Sequence, residues 1–217
     1  MNISQIVTSR RTAKAFDASR RLPENLVAEI KTLLRYAPSS VNSQPWHFII
    51  AGSDEAKGRI ADTLKTGFAY NEGKVRAASH VVVFCARNSI DETHTRQLLE
   101  QEDTDGRFAT PEAKAGQNNT RSFYVKLHGE TLNDMPAWVD RQIYLALGTL
   151  LLGAAALGID ACPMEGLDTA ALDQALGLKE KGLRSVVMVA LGYSGADDFN
   201  AKLPKSRLPA TQVISEI

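Results

Sequence analysis

Pro38-Ser39-Ser40-Val41-Asn42-Ser43-Gln44-Pro45-Trp46-His47-Phe48 joins an amphipathic helical segment to an apolar strand. Three serines, an asparagine and a glutamine lie between two prolines that fix φ and stiffen the loop. Ser, Asn and Gln bring short neutral donors and acceptors. Two readings stand side by side: a capped turn, and a cradle for a planar ligand with polar edges. The rest of the chain must choose between them.

Around this loop the pattern is regular. Pro23 to Ala37 reads as a helix with Leu26, Ile30, Leu33 and Leu34 on one face. Trp46 to Ala51 reads as a strand, and Asp54 to Leu64 as a helix capped by Ser53 or Asp54. His80 to Ala86 and Val186 to Leu191 are unbroken apolar runs, as expected for strands covered on both faces. Residues 91–135 are polar and mostly helical. Ile143 to Leu157 is an apolar run of 15 residues, short of the roughly 20 that span a bilayer. It predicts a helix buried at a domain centre or a subunit interface. Ile159 to Pro163 is a short strand, and Asp168 caps a short helix. The segment Thr211 to Ile217 is an extended tail that needs a surface to lie on. With no repeat, linker or composition break, residues 1–217 read as one α+β domain with a central mixed sheet flanked by helices.

Composition narrows the function. The 25 basic and 25 acidic residues cancel, so nothing signals a nucleic-acid partner. No segment signals a membrane, and the N-terminus lacks the regions of a signal peptide. Cys85 and Cys162 sit in apolar runs and read as buried free thiols, in keeping with a reducing cytoplasm. The four histidines are scattered and no Cys-x-x-Cys occurs, so no metal site is expected. Gln101 to Glu112 approaches a calcium-loop spacing, but its first ligand position is Gln101; it reads as a solvated helix junction. Dinucleotide-binding, P-loop and nucleophile-elbow motifs are missing.

What remains is a set of separated parts. Arg10, Lys14, Lys205 and Arg207 can gather around a phosphate, the arginines making two-point contacts. The Pro38–Gln44 loop, with Asn71 and Lys74, suits a polar heteroaromatic edge. Phe68, Tyr70 and Tyr124 can form an aromatic wall.

The segments SRRTAKAFD, APSSVNSQPWHFI, SHVVVFCA, QEDTDGRFATPEAKA, MEG and FNAKLPKSRLP follow one another over essentially the whole chain. In them the chain resembles the oxygen-insensitive NAD(P)H nitroreductases and dihydropteridine reductases of the FMN-dependent nitroreductase family. The resemblance implies an intertwined homodimer with two FMN sites at the interface and a C-terminal tail extending onto the partner. It implies phosphate binding by Arg10 and Arg207, with Arg11, Thr12 and Lys205 nearby. Lys14, Asn71 and Lys74 match positions at the flavin's pyrimidine edge. Pro38, Ser39, Ser40 and Asn42 match residues that reach the flavin from the other subunit, and Pro163, Met164, Glu165 and Gly166 match the segment whose backbone faces it. Lys14, Ser40, Val41, Phe68, Tyr70, Asn71, Lys74, Arg107 and Tyr124 are the positions implied for NAD(P)H or the acceptor. The implied reaction is ping-pong, with NADH or NADPH as donor and a nitroaromatic, quinone or pterin as acceptor, and it needs no catalytic side chain. Two other readings are a reductase that releases reduced FMN and a non-catalytic flavin-binding protein. The chain departs from the family pattern at Arg11 (commonly histidine), Val41 (threonine), Phe68 and Tyr70 (ring types exchanged) and Tyr124 (phenylalanine). These changes put acceptor preference in question.

Overall fold

The computed structural model describes residues 2–217. In chain order the elements are α1 (Ile3–Ser9), α2 (Glu24–Arg35), β1 (Trp46–Ala51), α3 (Asp54–Asp62), α4 (Glu72–Ala77), β2 (His80–Arg87), α5 (Glu92–Thr104), α6 (Pro111–Lys126), α7 (Met135–Ala156), β3 (Asp160–Met164), α8 (Thr169–Leu176), β4 (Leu183–Gly192) and α9 (Ala210–Val213). Short 3-10 turns cover Ser40–Asn42, Ala69–Asn71, Lys179–Lys181 and Phe199–Lys202, and a π-helical turn (Leu127–Thr131) follows α6.

The strands run in the order β1-β2-β4-β3. Alternate residues of β2 and β4 feed two apolar cores. Val82, Phe84, Ala86, Val187, Val189 and Leu191 meet α2 and α7 through Ile30, Leu34, Ile143 and Leu150. Val81, Val83, Cys85, Met188 and Ala190 meet Ile60, Leu64, Val75 and Leu172 on the other side. Covering both faces of a strand removes the reason for polar alternation, which is why both runs are continuous.

The fold differs from expectation in the C-terminal tail, where Ala210–Val213 is helical because the Gln212 and Ile214 N–H groups bond back to Pro209 and Ala210 instead of to a strand, and in the sheet. The sheet was expected to be mixed, yet all three strand pairings are antiparallel. Among the described residues one parallel bridge, Thr12 to Ala161, joins the N-terminal segment to β3 without adding a strand. Burial of both faces sets the apolar pattern but does not select strand direction.

Three local outcomes follow from cap chemistry. Asn2 and Gln5 form a reciprocal capping box on α1. Ser53, not Asp54, caps α3, its Oγ accepting the Ala56 N–H (3.1 Å). Pro23 stands at the N-cap of α2 instead of its first turn. The 22-residue α7 is only partly enclosed: Ile143, Ala146 and Leu150 are buried, whereas Tyr144 and Leu145 are exposed. Ile3 and Val7 of α1, and Val213, Ile214 and Ile217 of the C-terminal segment, are also exposed. Cys85 and Cys162 are free and buried. Asp103 of α5 pairs with Lys114 of α6 at 2.6 Å, so the calcium-like stretch is a helix junction.

Candidate functional site

Opposite ends of the chain meet around one cavity. The bridge from Thr12 to Ala161 and the hydrogen bond from the Ala13 N–H to the Ala161 carbonyl (3.0 Å) lay the N-terminal basic segment against β3. Buried Asp198 accepts from the Lys14 N–H (3.0 Å), and Asn200 Nδ2 donates to the Thr12 carbonyl (2.7 Å). Lys205 Nζ donates to the carbonyls of Val7 and Arg10. Arg10, Arg11, Thr12, Lys205, Ser206 and Arg207 thereby share a cavity of about 440 Å³. Among the described residues Arg10, Lys205 and Arg207 form no ion pair. Desolvation, then Arg10 and Arg207, lower the Lys205 ammonium below its ordinary range. An anion in this cavity relieves that repulsion.

Arg11 lines the same cavity, but its guanidinium turns away. Nη2 donates to Ser194 Oγ (3.2 Å) and lies 3.7 Å from Asp160, and Nε is 3.9 Å from Asp198. Its charge is balanced by carboxylates, which separates it from Arg10 and Arg207.

A second group adjoins the first through Lys14. Lys74 Nζ donates to Asn71 Oδ1 (2.7 Å), and buried Asn71 donates through Nδ2 to the Gly166 carbonyl (2.9 Å). The Lys74 ammonium is held below the usual lysine range, first by burial and also by Lys14, against an opposing pull from Cys162. Burial pushes the Cys162 thiol up, while Lys14 and Lys74 pull it down. Phe68 and Tyr70 meet edge to face at 6.4 Å and close over Gly166. A Cβ on Gly166 would stand 2.2 Å from Tyr70 Oη. Pro163 and Met164 end β3 immediately before Glu165, whose Oε1 accepts from Tyr144 Oη at 2.5 Å. Burial and Glu165 push the Tyr144 phenol up to about 12.

The Pro38–Gln44 loop forms the third group. Its hydrogen bonds run to α5, α6 and α7. The Ser40 N–H donates to Gln142 Oε1 (2.8 Å), and Asn42 Nδ2 donates to Glu102 Oε1 (2.8 Å). Arg121 Nε donates to the Val41 carbonyl (3.1 Å), and His94 Nε2 is 2.8 Å from the Ser43 carbonyl. Since a carbonyl only accepts, His94 carries its proton on Nε2. The Gln44 N–H donates to Ser39 Oγ at 3.0 Å. Val41, Asn42 and Gln44 hold φ of 47°, 51° and 40°. Left-handed backbone at three non-glycine residues costs on the order of 1–3 kcal/mol each.

Within one protomer the aromatic wall is split. Phe68 and Tyr70 cover Gly166, whereas Tyr124 packs on Phe123 in α6, 5.4 Å between ring centres. Exposed Arg107 donates its backbone N–H to the Glu102 carbonyl (2.9 Å). The second and third groups are joined by α7, which carries Gln142 toward the loop and Tyr144 toward Glu165.

Comparison with known proteins gives the family. The model described as the nitroreductase family matches residues 7–193. The chain belongs to the nitroreductase family. An oxygen-insensitive NAD(P)H nitroreductase of Salmonella typhimurium is 48% identical over 217 residues, covering 100% of both chains. The major NAD(P)H-flavin oxidoreductase of Aliivibrio fischeri is 34% identical, covering 95% of this chain and 94% of its own. A candidate nitroreductase of Exiguobacterium sibiricum, solved in complex with FMN, superimposes with a TM-score of 0.83 at 21% identity, over 100% of this chain and 98% of the other. That superposition extends over the whole described fold.

Sequence reasoning missed Glu102, Arg121, His94, Gln142 and Tyr144. Gln142 and Tyr144 carried a signal, as polar groups at and just inside the start of an apolar helix. Glu102 and Arg121 carried none, because residues 91–135 are rich in charges that stay solvated.

Proposed function

We propose that this member of the nitroreductase family is an FMN-dependent oxidoreductase. It uses NADH or NADPH in a ping-pong, two-electron transfer to nitroaromatics, quinones or pterin-like acceptors. The observation that carries the reading is the cavity shared by Arg10, Lys205 and Arg207, cations without carboxylate partners, beside the paired ammonium groups of Lys14 and Lys74. This donor set fits FMN: a phosphate needs the first group, and an electron-rich ring edge the second. Bound FMN supplies a ring that takes a hydride from the nicotinamide and passes two electrons to the acceptor.

The chain's own residues bind and orient. Arg10, Lys205 and Arg207 hold the phosphate, with Thr12 beside them. Lys14 and Lys74 place positive charge at the ring's pyrimidine edge, where negative charge develops. Asn71, clamped between Lys74 and the Gly166 carbonyl, would hold the Lys74 ammonium in place at that edge. The backbone at Glu165 and Gly166 faces the ring, and Tyr144 fixes the Glu165 carboxylate. Phe68 and Tyr70 exclude water from the face above Gly166. No nucleophile is required, because hydride transfer depends on orientation.

The active form in this reading is a cytoplasmic homodimer. A second copy covers Ile3, Val7, Tyr144 and Leu145, receives the C-terminal segment, and brings its Pro38–Gln44 loop and Tyr124 to the neighbouring ring. That assembly reunites the aromatic wall which a single protomer leaves divided.

The test is a visible spectrum of the purified protein, followed by anaerobic titration with each dinucleotide. A yellow protein bleached by NADH or NADPH and recoloured by a nitroaromatic or quinone is expected. A protein that stays colourless after incubation with FMN would reject the reading. Sedimentation at the mass of one chain would reject the dimer.

A further inference from the structure

We infer that Arg121, acting with Glu102, is a positioning residue for the acceptor side of the site: the pair locks Val41 and Asn42 of the Ser40–Gln44 turn in their left-handed conformation. The inference rests on the proposed function, with Ser40 and Val41 at the positions that the family resemblance implies for NAD(P)H or the acceptor.

Arg121 and Glu102 are buried, with side-chain exposures of 0% and 6%. Arg121 Nη2 donates to both oxygens of Glu102 at 2.7 Å. The remaining contacts of the pair run to the turn. Arg121 Nε takes the Val41 carbonyl, and Glu102 Oε1 takes the Asn42 side chain. Arg121 Nη1 is buried without a partner. The fork is therefore aimed by Glu102 and the turn, not by full satisfaction of its own donors.

A buried ion pair is a poor source of net stability, because desolvation offsets much of its attraction. Its presence here needs another account. Val41 is β-branched and disfavours positive φ, yet it sits at 47°, next to Asn42 at 51°. Turning the Val41 peptide back toward the ordinary region breaks the Arg121 bond. Rotating Asn42 breaks its bond to Glu102. The two bonds hold adjacent residues from opposite sides of one ion pair, so the turn cannot relax at one residue alone. The position of the Val41 side chain, and of the Ser40 N–H bonded to Gln142, follows from this lock.

The test replaces the pair by an apolar one, Arg121→Met with Glu102→Leu, so that no charge is left buried alone. Arg121→Lys serves as a second variant; it keeps the charge but loses the planar fork. Hydrogen–deuterium exchange on protein without added flavin reads the turn directly. Amide exchange at Asn42, Ser43 and Gln44 is expected to quicken about tenfold or more while the rest of the sheet stays protected. In the FMN-loaded protein, KM for a nitroaromatic acceptor is expected to rise about fivefold or more with kcat within about twofold. Arg121→Lys moves both readouts the same way by less, and decides alone if the double variant fails to fold. Native exchange in the turn overturns the lock. Faster exchange with an unchanged acceptor KM overturns the positioning role. Failure of the underlying functional reading is seen separately, as unmodified protein that never takes up FMN.

Discussion

The Ser39–Gln44 loop and the Lys205–Arg207 segment both lie between prolines and carry polar side chains, and they are held in opposite ways. The loop is pinned by buried side chains from three helices and carries left-handed residues. The C-terminal segment is exposed throughout, tied by Lys205 to two carbonyls and by the Asp198–Asn200 turn to Thr12 and Lys14. One region is built before any ligand arrives. The other is a set of cations placed near one another, with no ion pair at Arg10, Lys205 or Arg207 among the described residues. Rigid geometry thus stands on the proposed acceptor side, and loosely held charge on the proposed phosphate side.

The sharpest way to break this contrast is Arg121→Met alone, which strands Glu102 in the interior. It should lower unfolding free energy by about 3–5 kcal/mol, read from urea midpoints, and adding Glu102→Leu should restore most of the loss. Arg207→Ala should do the reverse. It should leave unfolding within about 0.5 kcal/mol of the parent, since an exposed side chain is removed. Its FMN dissociation constant, measured by flavin fluorescence, should rise on the order of tenfold or more, with a weaker dependence on salt than the parent. A strong loss of stability in this variant would erase the distinction.

Acid gives a third probe. Burial holds His94 below its ordinary value, as it does His47 and His80. The unfolded chain therefore binds protons that the folded chain refuses. Stability is full above the unfolded value near 6.5 and declines as pH falls from there toward the depressed folded values. Asp17, Asp54, Asp62 and Asp134 are held below the ordinary carboxylate range and release their share only at lower pH. Unfolding midpoints at pH 7 and pH 5 should differ accordingly. His94→Gln should reduce that difference and loosen the Ser43 end of the loop. The smallest effect is expected at Tyr124, which is about one-third exposed. Tyr124→Phe removes one hydroxyl and should shift the ratio of kcat/KM between two acceptors by about 1 kcal/mol, or about fivefold; an unchanged ratio across several acceptors removes Tyr124 from selectivity.

Much of the local structure was legible. The strands at Trp46 and His80, the strand core at Val186 to Leu191, the helix after Pro23 and the Asp168 cap follow from apolar period and cap chemistry, while the strand's start at Leu183 does not. The gathering of Arg10, Lys14, Lys205 and Arg207 was anticipated from residue type; Arg10, Lys205 and Arg207 line one cavity, whereas Lys14 stands outside that lining, near Lys74. Arg11 was grouped with them, but its guanidinium faces Asp160 and Asp198. Orientation of a long side chain depends on what stands opposite, and those carboxylates lie far along the chain. The antiparallel sheet escaped for a related reason, since pairing direction is a property of two strands and not of either one.

The amino-acid order by itself determined where helices and strands form, which faces are apolar, and which polar loop and cation clusters stand out from ordinary surface. Those are short-range matters of period, capping and residue chemistry. Only the tertiary structure decided that Glu102 and Arg121 are interior partners of the Ser40 turn, that α7 serves the loop and Glu165 together, and that Arg11 looks away from Arg10. Burial and partnership between residues tens to nearly two hundred positions apart exist only once the chain has packed, because a charge is costly or useful according to the groups that surround it.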